Sequence, residues 1–374
     1  MLKVLVVGQT PPPLHGQAIM IQQLLQTKLP KVKIFYMPMH FSREMGQVGK
    51  FSVSKILELF KVIVGILSYR IMYNVRILYY PPAGPNMLPM IRDLVILGTT
   101  RWLFSKTIFH FHAGGISEVY PTLSFPLRAL FRKAYFYPDI AIRTSSLAPS
   151  DGTNLRAIHD LIIPNGIEDI AQGFLTAIRR KDSQPVKLLY VGALCESKGL
   201  QVLLSACQIL TSKGVAFHLD CLGVFRSASF REQIMRFITH HGLQTSVTFH
   251  GEVAGPTKWD MFSQADIFCF PSHFESETFG LAILEAMSFR LPIVATRWRG
   301  LPILVQDGIS GFLVPVKDAE LLADRIEQLI DDPTLRSEMG MKGREIFLKH
   351  YSLQRHQDDL EKMFALVGGG YARG

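Results

Sequence analysis

The sequence predicts an α/β chain built from two doubly wound, parallel-sheet domains. Its 374 residues exceed what one hydrophobic core usually organises. Short apolar, β-branched runs alternate with helical patterns along its length, as buried parallel strands and their crossover helices do. An opening strand that ends in glycine also occurs twice: Leu-Lys-Val-Leu-Val-Val-Gly at 2–8 and Val-Lys-Leu-Leu-Tyr-Val-Gly at 186–192.

The first strand is followed by the Gly/Pro-rich loop Gln9–Gly16 and a helix from about Ala18 to Gln26. Strand, glycine-bearing loop and helix open a nucleotide-binding sheet. Further strands are expected near Val32–Tyr36, Ile77–Tyr80, Thr107–Phe111, Ile140–Arg143 and Leu161–Pro164. The turn-forming Pro164-Asn165-Gly166 marks a junction. After the second opening strand come Ser197-Lys198-Gly199 and a helix over Leu200–Lys213. Strands near Ala216–Leu222, Val247–His250, Ile267–Phe270, Pro292–Ala295 and Gly311–Val314 complete a second sheet. A last helix, Ser352–Val367, has no strand after it and should pack on the outside of a domain. The expected division is 1–164, 165–351 and a flexible tail, 368–374.

Composition narrows the function. Hydrophobic residues make up 48% and charged residues 19%, so the chain is globular. Cys195, Cys207, Cys221 and Cys269 form no CxxC pair and sit near no His ligand set. Reduced thiols in a cytosolic protein are expected, and neither a zinc site nor a disulfide framework. No secretory leader and no run of about 18 apolar residues is read. Residues 1–180 hold 20 Lys and Arg against 9 Asp and Glu, while residues 181–374 hold 20 against 22. The basic half suits an anionic partner. No nucleic-acid motif accompanies the pI of about 9.3, and nucleic acid is not expected as a partner.

The most informative stretch is Pro271-Ser-His-Phe-Glu-Ser-Glu-Thr-Phe-Gly-Leu-Ala-Ile-Leu-Glu-Ala-Met287. It leaves a strand and enters a helix at the carboxyl edge where open α/β sheets bind ligands. Free N–H groups at a helix start suit a diphosphate. Glu277 and Glu285 would be roughly 12 Å apart if helical, one placed for a sugar and one for a ribose. A helix-capping Glu277 and a solvated Glu285 remain the alternative.

These residues resemble the family 4 (group 1) glycosyltransferases of the GT-B fold. The resemblance extends to "IPNGI" (163–167), "YVGALCESKGL" (190–200), "FSQADIFCFPS" (262–272), "RLPIVAT" (290–296) and "DGISGFLVP" (307–315). It is dense over about 160–350. It implies two Rossmann-like domains facing across a cleft, the first for the acceptor and the second for a nucleotide-sugar donor, with 352–367 returning to the first. It implies that Glu277, beside Thr278, contacts the donor sugar and Glu285 the ribose. The amides of Phe279 and Gly280 would face the diphosphate and Lys198 would neutralise it. His112 would touch the transferred sugar, and Gly16 would let backbone approach the substrates. It also implies retention of anomeric configuration, no metal and no cofactor beyond the donor itself.

Two positions depart from the family. Ala193 stands where an Arg usually shares the diphosphate, and Ile303 replaces a Glu. Arg297 or Arg299 is expected to restore the charge. A nucleotide-sugar epimerase or hydrolase, or an inactive binding relative, is the competing reading.

Residues 50–76 carry Lys50, Lys55, Lys61, Arg70 and Arg76 against Glu58, with apolar residues at helical spacing. Arg101–Lys106 and Arg128–Phe136 add aromatics beside cations. Two readings stay open: peripheral contact with anionic lipid at the inner face of the cytoplasmic membrane, or a core-facing helix with a solvated basic edge. A lipid-linked or glycan acceptor in polysaccharide or glycolipid synthesis fits the first.

Overall fold

The structure, a computed structural model, describes residues 1–12, 15–41, 53–174 and 185–369. The chain divides into two compact units, Met1–Asn165 with the chain from His356 onward, and Gly166–Arg355.

Unit 1 runs β1 (Leu2–Gly8), α1 (Gly16–Gln26), β2 (Val32–Pro38), α2 (Val53–Met72), β3 (Ile77–Tyr80), α3 (Met87–Thr100), β4 (Lys106–Phe111), α4 (Ile116–Val119), α5 (Phe125–Tyr135), β5 (Ile140–Arg143), α6 (Asp151–Asn154) and β6 (His159–Ile162). The strands form one parallel sheet, ordered β2-β1-β3-β4-β5-β6. Side-chain alternation sends Leu5, Val7, Leu78, Tyr80 and Phe109 to one face, under α2, α3 and α5. Val4, Val6, Tyr79, Ile108 and Ile142 go to the other, under α1 and Leu360, Met363 and Phe364 of the last helix. A carboxylate inside the first layer is fully satisfied. Asp93 accepts from the Tyr80 hydroxyl (2.7 Å), the Ala83 N–H (2.7 Å) and the Tyr135 hydroxyl (3.2 Å), and pairs with Arg92 at 2.7 Å. That is the condition under which a buried charge is tolerated.

Unit 2 continues with β7 (Val186–Val191), α7 (Leu200–Ser212), β8 (Phe217–Leu222), α8 (Ala228–His240), β9 (Val247–Gly251), α9 (Pro256–Gln264), β10 (Ile267–Phe270), α10 (Leu281–Ser288), β11 (Ile293–Thr296), β12 (Gly311–Val314), α11 (Ala319–Asp331) and α12 (Pro333–His350). The final helix is α13 (Leu353–Gly368). The second sheet is also parallel, ordered β12-β11-β10-β7-β8-β9. Its order reverses at β7 and β10, the place where doubly wound sheets open a ligand crevice.

The strands differ from the sequence reading by a residue or two. The largest offset is β6, which ends at Ile162 rather than Pro164. Proline has no N–H to give the ladder, and the Pro164 carbonyl instead accepts from His356 Nδ1 at 2.6 Å. Cys207, Cys221 and Cys269 are buried free thiols, while Cys195 is only partly covered. Residues 370–374 of the expected tail, residues 50–52 of the basic stretch, and Pro13 and Leu14 of the first loop lie outside the described residues.

Candidate functional site

In unit 2 the loops leaving β7 and β10 carry the predicted residues. After β7 a short 3-10 turn, Glu196–Lys198, ends at Gly199 with φ +78°. A Cβ at Gly199 would lie 1.9 Å from the Pro271 carbonyl oxygen, so the turn needs glycine for its dihedral and for its closeness to the second loop. The His273 N–H donates to the Ser197 carbonyl at 2.8 Å, a second stitch between the loops. Trp298 Nε1 donates to the Phe274 carbonyl at 2.8 Å, and the Thr296 hydroxyl donates to the Ser272 carbonyl. The loop after β10 is thus held from both neighbouring strands.

This frame brings Lys198 and Glu277 together across 79 residues of sequence. Lys198 Nζ lies 2.6 Å from Glu277 Oε2, and the Ser272 hydroxyl donates to the same oxygen at 2.8 Å. Lys198 Nζ also stands 4.7 Å from the centre of the Phe274 ring. The Glu277 side chain is 9% exposed and that of Lys198 20%. Lys198 is thus the more exposed of the two, at the carboxyl edge of the sheet. Thr278 and Phe279 are buried. Gly280, with φ +85°, precedes α10.

The helical ruler between Glu277 and Glu285 needs correction. α10 begins only at Leu281, so Glu277 precedes the helix and the 12 Å helical estimate does not apply. Glu285 is neither solvated nor alone. Lys258 of α9 holds its Oε1 at 2.6 Å, with side-chain exposures of 11% and 12%. Lys258 Nζ is in turn 4.8 Å from the Trp259 ring centre.

Ala193 lies in the β7 loop, where its carbonyl accepts from the Tyr190 hydroxyl at 3.0 Å. Of the two arginines expected to compensate, Arg297 is exposed and pairs with Asp307 at 2.7 Å, which already engages its charge. Arg299 takes φ +47° and its guanidinium lies 5.6 Å from the Trp298 ring centre. Ile303 follows in a 3-10 turn, and its carbonyl accepts from the Tyr351 hydroxyl at 3.0 Å.

Unit 1 holds the other two predicted residues. Gly16 is the exposed first residue of α1. Before it, His15 caps the helix, its Nδ1 accepting the Ala18 N–H at 3.3 Å. His112 follows β4 and its ring stacks on His110 with centroids 3.9 Å apart. Burial, with His356 and His15 nearby, pushes the His112 imidazole down to about 3. His110 is pushed down too, by burial first and then by His112 and His356. Tyr79 hydrogen-bonds His110 Nδ1 through its hydroxyl. The loop beyond is pinned by buried Asp151, which accepts from the Gly115 N–H (2.7 Å) and the Ser117 N–H (2.8 Å). Burial raises the Asp151 carboxyl, and these amides oppose the rise. The result is a neutral imidazole set at a strand end, suited to hydrogen-bonding hydroxyls rather than binding anions.

Lys258, Ser272 and Tyr79 were not visible in the sequence pattern as site residues. Among the described residues, no group of three or more His, Cys, Asp or Glu could hold a metal ion, and no helix is long and apolar enough to cross a membrane.

The family model described as "Glycosyl transferases group 1" matches residues 173–346. Among similar proteins, alpha-D-kanosaminyltransferase of Streptomyces kanamyceticus is 31% identical over 188 residues, 50% of this chain and 47% of that protein. The capsular polysaccharide biosynthesis glycosyltransferase CapM of Staphylococcus aureus is 30% identical over 176 residues, 47% of this chain and 44% of its own length. The matched stretch thus spans less than half of each of these relatives. A solved structure, HepE of Anabaena in complex with UDP and glucose, aligns with a TM-score of 0.69 at 17% identity, covering 98% of this chain and 100% of that one. The fold is GT-B, with two parallel six-stranded sheets.

Proposed function

We propose that this chain, a member of the group 1 glycosyl transferases through residues 173–346, moves a sugar from a nucleoside-diphosphate donor to an acceptor hydroxyl with retention of configuration. The observation that carries the reading is the Lys198–Glu277 pair between the β7 and β10 loops, 2.6 Å apart, with the lysine the more exposed partner. In this reading the Lys198 ammonium meets the diphosphate as negative charge grows on it, a form of charge stabilisation worth most in a partly dry site. Glu277, relieved of the ammonium, accepts from sugar hydroxyls, and Glu285, oriented by Lys258, accepts from the ribose. The amides of Phe279 and Gly280 add donors for phosphate oxygens. With Ala193 in place of arginine, Lys198 carries a larger share of the diphosphate charge, and Arg299 is the remaining candidate to assist it.

In the reaction the acceptor oxygen bonds to the anomeric carbon on the face the diphosphate leaves. The anomeric C–O bond to phosphate breaks, and the acceptor proton passes to the departing phosphate oxygen. His112 would hydrogen-bond the transferred sugar as a neutral imidazole, and Gly16 would leave room beside α1. In this reading charge stabilisation comes from Lys198 and the amides, so no metal is required. HepE was solved with UDP and CapM belongs to capsular polysaccharide synthesis, so a uridine donor and a lipid-linked or glycan acceptor are the first to try. A location at the inner face of the cytoplasmic membrane, in contact with anionic lipid, belongs to the same proposal.

The test is turnover of UDP-, GDP- and ADP-sugars with hydroxyl acceptors, with NMR of the product anomeric proton. Retained configuration together with loss of turnover in Lys198→Met supports the proposal. Inverted product overturns the front-face mechanism. Donor loss without any glycoside product points to a hydrolase or epimerase instead.

A further inference from the structure

α2 shows solvent a long row of large apolar side chains. Its inward residues Val62 and Ile66 are fully buried. Its outward stripe is equally apolar: Leu57, Phe60, Val64 and Ile71 are 69%, 63%, 58% and 78% exposed. Their steps of three, four and seven place them along one side of the helix. α11, an ordinary surface helix, exposes Glu320, Asp324 and Gln328 at the equivalent steps. A helix with a second apolar stripe opposite the one it buries presents a surface suited to a partner or to lipid.

Another exposed aromatic lies near the end of α2. Arg70 Nε donates to the Leu103 carbonyl at 2.8 Å, which sets the helix end against the 3-10 turn Arg101–Leu103, where Trp102 is 70% exposed. Indole rings at such a margin favour the lipid headgroup level. The described part of the helix is basic, with Lys55, Lys61 and Arg70 against Glu58, and the Lys61 side chain is 64% exposed. α2 also lies within the basic first half of the chain. A second copy of the same basic face would bring like charges together, whereas anionic headgroups complement them. α2 is not apolar enough to cross a bilayer.

We infer that the outward stripe of α2, with Trp102 at its end, is a docking surface for an anionic lipid bilayer, on which the helix lies flat with its apolar side chains in the headgroup–acyl boundary. This names the surface behind the membrane contact proposed above, and its test is independent of the reaction. The full chain is sedimented with vesicles of phosphatidylcholine alone or mixed with phosphatidylglycerol, at low and high salt. The expected result is salt-sensitive binding to the phosphatidylglycerol vesicles, reduced about tenfold or more by Leu57→Gln/Phe60→Gln and also weakened by Lys61→Glu. Quenching of Trp102 fluorescence by brominated lipid, read as the difference from Trp102→Phe, reports the same docking in the unaltered helix. Nucleoside-diphosphate binding should be the same in all these variants, which separates failure of the surface from failure of the donor site. No binding to phosphatidylglycerol vesicles overturns the inference, as does equal binding by the double variant. A wild-type oligomer that the double variant dissociates would overturn it too, by assigning the face to another protein copy.

Discussion

Replacing Lys198 with Met keeps most of the side chain's bulk and removes its charge. In the wild type Nζ lies 2.6 Å from Glu277 Oε2, on a carboxylate that is 9% exposed. Without it, that carboxylate keeps the Ser272 hydroxyl at 2.8 Å and has lost its counter-charge. Removing one partner of a fully buried pair costs about 3–5 kcal/mol. Lys198 is 20% exposed, so water reaches the pair and the expected loss is smaller, about 2–3 kcal/mol. Since about 1 kcal/mol corresponds to roughly 2–4 °C in a unit of this size, the melting temperature should fall by roughly 5–10 °C. Lys198→Met/Glu277→Gln removes both charges and should recover more than half of that fall, a coupling of about 1.5 kcal/mol or more. Differential scanning calorimetry of the four proteins completes the cycle. If Lys198→Met left the melting temperature unchanged, or if the double variant were additive, the two side chains would not form the pair and the crevice would be built otherwise.

Gly199→Ala should cost more than an ordinary loop glycine replacement, because φ +78° and a backbone oxygen 1.9 Å from the new Cβ cannot both be relieved. A loss of about 3 kcal/mol or more in urea melts, with weakened donor binding, is expected. Lys258→Met should weaken nucleoside-diphosphate binding by about tenfold, while a 2′,3′-dideoxy diphosphate should bind wild type and variant alike, since it makes no ribose contact with Glu285. Stability should fall on acidification. The folded-state imidazoles of His110, His112 and His356 are pushed below the ordinary value, chiefly by burial. The unfolded chain therefore takes up more protons below about pH 6.5, and stability present above that value drains as pH falls, for His112 down to about 3, by up to about 1.4 kcal/mol per pH unit for each group. His112→Asn should make the stability difference between pH 7 and pH 5 visibly smaller in chemical denaturation. Tyr79→Phe should change the NMR-observed tautomer balance of His110, because the hydroxyl on Nδ1 is removed.

The strands were legible because each is a short apolar run bounded by turn residues, and the repeated opening strand exposed the second sheet. What fixes the crevice was not. Lys198 meets Glu277 across 79 residues and Lys258 meets Glu285 across 27, separations that carry no periodic signal. The spacing of Glu277 and Glu285 suggested one helix, yet Gly280 at positive φ delays α10 until after Glu277. His112 was visible at a strand end. Its imidazole neighbours were not, since His15 and His356 come from opposite ends of the chain and meet it only through folding. The outward stripe of α2 was ambiguous in sequence for a simple reason: apolar residues on two opposite sides give little contrast from which to choose the buried face.

The central claim is a nucleoside-diphosphate site in unit 2 built on Glu277, Glu285 and Lys198. Thermal shift of the full chain with UDP, GDP and ADP tests it most directly, because a ligand that binds only the folded state raises its melting temperature. The account predicts a rise with one of these nucleotides that Glu285→Ala abolishes, although the unliganded variant still unfolds cooperatively. A rise of equal size in Glu285→Ala, or none with any nucleotide, would contradict it.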